Sequence, residues 1–117
     1  MRNVLILCFA NYCRSPVAEK ILTDLFKNNV YFSSYGIQPK VDVCMDIRSK
    51  SFLEEINISN HEHFPRKIDQ RKIDDSNLVL CMDHFVLALM NKNFPKSTAK
   101  FKLFTFMEPE KKIEDPY

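Results

Sequence analysis

Val4-Leu5-Ile6-Leu7-Cys8-Phe9-Ala10-Asn11-Tyr12-Cys13-Arg14-Ser15-Pro16 decides how the rest of the chain is read. Its first four residues are a continuous aliphatic run, too short for a buried helix and suited to a strand covered on both faces. Ser15-Pro16 reads as a helix start, with Ser at the cap and Pro at the first helical position. Val17, Ile21, Leu22, Leu25 and Phe26 then recur at helical spacing, and Lys27-Asn28-Asn29 closes the helix. Between strand and helix lies a loop that opens with Cys8 and ends with Arg14.

The same alternation runs outward along the chain. Tyr31–Tyr35 reads as a second strand ending at Gly36, and Ile37–Asp46 as loop. Arg48–Ile56 suits a helix with Phe52, Leu53 and Ile56 on one side, and His61–Ile73 is polar and irregular. Leu78–Met82 is another apolar strand, followed by Asp83 as a helix cap and Phe85, Leu87, Leu89 and Met90 as helix. Phe101–Phe106 gives a fourth strand before a charged tail. Strands that alternate with helices, joined by connections long enough for crossovers, predict an α/β domain over 1–117: a four-stranded parallel sheet flanked by helices. Ligands bind beyond the carboxyl ends of such strands, which points first to the loop at Cys8.

Composition narrows the function. A formal charge of +2 over 117 residues is too small for a nucleic-acid binder that works through a broad basic face, yet leaves room for a local anion site. No apolar run approaches the ~20 residues of a membrane span. Val4–Ala10 is at the lower limit for a signal-peptide core and lacks a small-residue cleavage site, so a cytoplasmic protein is expected. The four Cys, at 8, 13, 44 and 81, are too sparse for a disulfide framework. Cys8 and Cys13 are also too far apart for the usual zinc pair. His61-x-His63 and His84 have no further ligands at sensible spacing, so no metal is expected. With a single glycine, Gly36, most turns fall to Asn, Asp, Ser and Pro.

The loop itself carries chemistry. A helix N-terminus offers unpaired N–H groups and the positive end of the helix dipole to an anion. Arg14 adds a planar fork that matches two phosphate oxygens. The five residues between Cys8 and Arg14 are enough chain to curl into a cup with the sulfur at its base. The surroundings that hold phosphate would also favour a thiolate, the reactive form. Ser15 is placed to hydrogen-bond the sulfur, to cap the helix, or both.

These residues resemble the signature of the low-molecular-weight protein tyrosine phosphatases, a Cys-x5-Arg-Ser loop near the N-terminus, with Asn11, Cys13 and Pro16 also matching. The likeness continues through Val17-Ala18-Glu19, Ser34-Tyr35-Gly36, Asp46-x-Arg48-Ser49 with Leu53, His63-x-x-Arg66, Leu80-Cys81-Met82-Asp83 and Asp115-Pro116-Tyr117, in order along the chain. It implies a phosphatase that hydrolyses phosphotyrosine or small aryl phosphates through a phosphocysteine on Cys8, with no cofactor or metal. Arg14 and the loop from Phe9 through Ala10, Asn11, Tyr12 and Cys13 to Ser15 would hold the phosphate. Asp115 would be general acid and then base, and Tyr117 one wall of the cleft, with Tyr12 or Phe9 opposite. By the same resemblance His63 and Arg66 support the site, and Cys13 bridges to Cys8 under oxidation.

Three departures from the family pattern set further expectations. Ala10 stands where the family usually has Gly, and would strain the loop by roughly 1 kcal/mol if its φ were positive. Family members continue into another helix beyond the position of Tyr117, so a domain short of that C-terminal helix is expected. One sheet face would then be uncovered, with a second copy as one way to cover it. Tyr12 replaces the small Thr of phosphoarginine-specific relatives, which favours phosphotyrosine. An arsenate reductase on the same fold would need a further reactive Cys, and a non-catalytic phosphate-binding module would bind without turnover. Both stand as alternatives.

Overall fold

The computed structural model describes residues 2–12, 14–26, 28–39, 45–58 and 63–104. Four strands, β1 (Arg2–Cys8), β2 (Val30–Gly36), β3 (Leu78–Cys81) and β4 (Phe101–Leu103), form one parallel sheet in the order β2-β1-β3-β4. The aliphatic run lies in a central strand, as its composition demands: Ile6 and Leu7 are wholly buried, one on each face of β1.

Helices α1 (Arg14–Leu25), α2 (Ile47–Glu55), α3 (Gln70–Asp74) and α4 (His84–Asn93) flank the sheet, and a 3-10 helix, Pro95–Lys100, leads into β4. On one face Leu5, Leu7, Tyr35, Val79, Cys81 and Phe101 pack against Ile73 of α3 and Val86 and Met90 of α4. On the other, Ile6 and Cys8 meet Ala18 of α1 and Met82. A smaller cluster of Met45, Leu53 and Ile58 seats α2 against Val17 and Ile21 of α1. Burial of the aliphatic side chains in these clusters contributes roughly 1.5–3 kcal/mol each.

The fold departs from the sequence reading in details that have local causes. The polar stretch His61–Ile73 ends in α3, a five-residue helix capped by Asp69, whose carboxylate accepts the Lys72 N–H at 2.9 Å. Only Ile73 of that helix is buried, so it has no apolar periodicity to betray it. Leu25 and Phe26 lie on the exposed side of the end of α1, and Phe52 and Ile56 are exposed while Leu53 alone anchors α2. The fourth strand is three residues long, and residues 105 and 106 lie outside the described part. Asn57, with φ 64°, ends α2 in the left-handed conformation usually given to glycine. Among the described residues, no helix is long and apolar enough to cross a membrane.

Candidate active site

The loop after β1 begins where the strand leaves the sheet. Cys8 is 3% exposed, and its sulfur is met from two sides. The Asn11 N–H donates to Sγ at 3.1 Å, and Ser15 Oγ lies 2.9 Å away. Ser15 therefore does not cap α1 as its position suggested. Helix α1 already starts at Arg14, and the Ser15 hydroxyl turns inward to Cys8, where it also accepts from Asn11 Nδ2 at 3.0 Å.

Asn11 holds the bend. It is wholly buried with φ 53°, a conformation that Asn tolerates and most residues avoid. Its side-chain oxygen accepts the Arg66 N–H at 2.8 Å, and its carbonyl faces His63 Nε2 at 3.0 Å, so His63 donates from that nitrogen. Ala10 is not in the left-handed region, since Asn11 and Asn57 are the only described non-glycine residues with positive φ. The bend falls one residue later, and the strain expected of Ala10 is absent.

The outer side of the loop is fastened to the scaffold through its carbonyls. Gln38 N–H donates to Phe9 O at 2.9 Å and Asp46 N–H to Tyr12 O at 3.1 Å. Behind the loop lies Gly36, where a Cβ would stand 2.9 Å from both Asn11 Cβ and Phe9 O. The one glycine of the chain thus sits where two backbones come closest. The segment at Arg66–Ile68 is tied to the same place, with Gly36 N–H donating to Arg66 O at 2.7 Å and Ile68 N–H to Gly36 O at 3.0 Å. The Arg66 guanidinium lies over the Tyr35 ring, 4.4 Å from its centre.

Arg14 enters from the first turn of α1, and its Nη2 is 2.8 Å from Asp83 Oδ2. The other carboxylate oxygen of Asp83 accepts the Val86 N–H at 2.8 Å and caps α4. The sequence showed the cap but not the ion pair. Pairing of β1 with β3 was the missing signal, because it brings the ends of both strands, and so Arg14 and Asp83, to one edge of the sheet.

His63 is buried beside a cleft of about 330 Å³ lined by Glu19, Lys20, Phe64 and Arg66. Burial lowers its pKa below the ordinary 6.5, chiefly by desolvation and against the hydrogen bond to Asn11 and the field of Glu19. Glu19 Oε1, at this cleft, and Ser34 Oγ, in β2, are buried without a hydrogen-bond partner among the described residues. Cys81, in β3, is wholly buried and its thiol is pushed up to about 12 by desolvation and the nearby Asp83. Among the described residues no three His, Cys, Asp or Glu side chains gather as a metal site would require.

Phe9, Ala10, Asn11 and Tyr12 thus lie in the bend after Cys8, and Arg14 and Ser15 in the first turn of α1 that follows it. Cys13, Asp115 and Tyr117 lie outside the described residues, as do Cys44 and His61. Residues 3–117 match the family model of the low molecular weight phosphotyrosine protein phosphatases. The chain belongs to that family.

Particular relatives agree with the assignment. A low molecular weight phosphotyrosine protein phosphatase of Sus scrofa is 34% identical, the match covering 99% of this chain and 80% of that protein. The low molecular weight protein-tyrosine-phosphatase Wzb of Salmonella typhi is 30% identical over 98% of this chain and 76% of its own length. The crystal structure of the tyrosine phosphatase Wzb from Escherichia coli K30, in complex with sulphate, superposes with a TM-score of 0.87 at 27% identity, covering 98% of this chain and 80% of that one. The protein is accordingly a cysteine-based protein-tyrosine phosphatase with the α/β fold of its family.

Proposed function

We propose that Cys8 is the nucleophile of this phosphatase, Arg14 and the loop its phosphate clamp, and Asp115 its general acid and base. The observation that carries the reading is the environment of the sulfur. It sits at the carboxyl end of a central strand, takes a backbone N–H and faces a hydroxyl. Helix α1 begins six residues further on, and its first residue, Arg14, is held by Asp83. In E. coli K30 Wzb the bound group is sulphate, a tetrahedral anion of the same shape as phosphate.

In the first step the sulfur attacks phosphorus in line, forming an S–P bond as the bond to the phenolic oxygen breaks. Asp115 gives its proton to that oxygen, so tyrosine leaves neutral. A water then attacks phosphorus, the Asp115 carboxylate takes its proton, the S–P bond breaks and inorganic phosphate departs. Arg14 and the loop amides stabilise charge on the equatorial oxygens throughout, and the Ser15 hydroxyl and Asn11 amide hold charge on the returning sulfur. Tyr117 would form one wall of the cleft, with Tyr12 or Phe9 on the loop side. The substrate is a phosphotyrosine protein or a small aryl phosphate, met in the cytoplasm. The redox alternative lacks its reagent in Cys81, whose buried, protonated thiol is no nucleophile at neutral pH.

Turnover of p-nitrophenyl phosphate and phenyl phosphate by the parent chain, Cys8→Ser and Asp115→Ala tests these roles. Cys8→Ser should abolish both activities. Asp115→Ala should lose about 10²–10⁴-fold on phenyl phosphate and less on p-nitrophenyl phosphate, whose leaving group needs a proton less. Residual turnover in Cys8→Ser, or equal losses on the two esters, would reject the assignment. Phosphate binding without turnover in the parent would favour the binding-module reading.

A further inference from the structure

Phe85 is placed oddly for a residue of a core-facing helix. Val86 and Met90 hold α4 against the sheet, while Phe85, in the first turn, is 62% exposed. Its ring meets that of Phe9, the residue after the nucleophile, with centres 5.9 Å apart and planes tilted by 40°. Phe9 is itself 37% exposed. The two rings therefore make one apolar surface that starts at the phosphate loop and runs outward to α4.

That surface is fixed to the site at both ends. Phe9 is part of the loop, its carbonyl fastened by Gln38. Phe85 lies two residues from Asp83, which caps α4 and grips Arg14. A tilted aromatic pair gains beyond its area burial, but partial exposure of both rings at the mouth of a binding site marks a surface that another apolar group completes. We propose that Phe85, with Phe9 behind it, forms a substrate subsite that receives an apolar side chain one or two residues from the phosphotyrosine. The occupant follows from continuity with the phosphate loop. A polypeptide whose phosphotyrosine enters the loop must run past its rim, and in an extended chain the residue two positions away presents its side chain on the same face ~7 Å along, over an apolar surface that begins at the loop residue Phe9.

The subsite rests on the phosphatase reading but is tested separately from it. Phosphotyrosine peptides alike except for Leu or Gly at each flanking position are compared with p-nitrophenyl phosphate, using the parent, Phe85→Ala and Phe85→Leu. The parent should favour Leu over Gly at one flanking position by about tenfold in kcat/KM, as expected for partial burial of one aliphatic side chain. Phe85→Ala should bring that ratio close to one, and Phe85→Leu should keep part of it. The proposal is overturned if the parent shows no such ratio, if Phe85→Ala preserves it, or if all three substrates fall by one common factor, which would make Phe85 a support of the loop. If the parent turns over nothing, the phosphatase roles fail. The same Leu-to-Gly ratio, read as dissociation constants of non-hydrolysable phosphonate peptides, then decides the subsite by itself.

Discussion

Asn11 meets four requirements at one position. Its backbone turns left-handed, its N–H faces the Cys8 sulfur, its amide nitrogen reaches Ser15 and its side-chain oxygen takes the Arg66 N–H. A buried amide so fully used fixes one loop geometry, because any other would leave polar atoms unpaired at about 1–3 kcal/mol each. Gly36 is the counterpart of that bend. Gly36→Ala would set a Cβ 2.9 Å from Asn11 Cβ and from the Phe9 carbonyl, so the loop must move. We expect a loss of about 1–3 kcal/mol in stability and a fall in kcat/KM of roughly a hundredfold, on the scale of a 1 Å misplacement of reacting groups. Thermal melts and aryl phosphate kinetics on the same sample check both. Unchanged kinetics would mean that the close approach does not shape the loop.

At the scale of elements, Asp83 joins the N-terminus of α4 to that of α1 through Val86 and Arg14. Asp83→Ala removes both cap and ion pair, whereas Asp83→Ser restores a capping oxygen without the charge. The Ala variant should lose about 1 kcal/mol of stability, the Ser variant much less, and both should raise KM because Arg14 loses the carboxylate that positions it. Denaturant midpoints and KM values for the pair separate the two contributions. If KM stays at the parent value in both, the ion pair does not orient Arg14. The elements most legible in the sequence were those with long apolar signals, β1, β3 and α1. The loop was legible because Cys8, Arg14, Ser15 and Pro16 follow one another in a fixed order between a strand and a helix. Helix α3 was hidden because one buried residue cannot show a period. The partnership of Arg14 with Asp83, and of Asn11 with Arg66, was hidden because it depends on strand order and chain crossings that local spacing does not encode. Phe85 read as part of an apolar helix face until exposure separated it from Val86 and Met90.

At the scale of the molecule, stability should respond to protonation of His63. Its pKa is lowered in the fold, so below about 6.5 the unfolded chain binds a proton that the native state resists. The number of protons bound by the unfolded state then exceeds that of the native state, and stability rises with pH in this window. Acidification from about pH 7 to about pH 5 should lower the Tm through this group as well as through any carboxylates. His63→Gln, which keeps a donor for the Asn11 carbonyl, should make the descent shallower. An identical pH profile in parent and variant would show that His63 titrates alike in both states. The effect would reach the loop directly, since the group that must accept the proton is hydrogen-bonded to its central residue.

The ties from Asn11 to His63 and Arg66 cross 52 and 55 positions of sequence, and β1 finds its second neighbour only at Leu78–Cys81. Closing such distances is the slow, entropically costly part of folding. Until residues 63–66 are in place, the Asn11 carbonyl and side-chain oxygen lack their partners, and the bend after Cys8 lacks two of the ties that hold it. A nascent or partly unfolded copy therefore has no assembled phosphate site. Reactivity is a property that the chain acquires only on completing its topology, so the appearance of turnover during refolding would serve as a clock for the last long-range contacts to form.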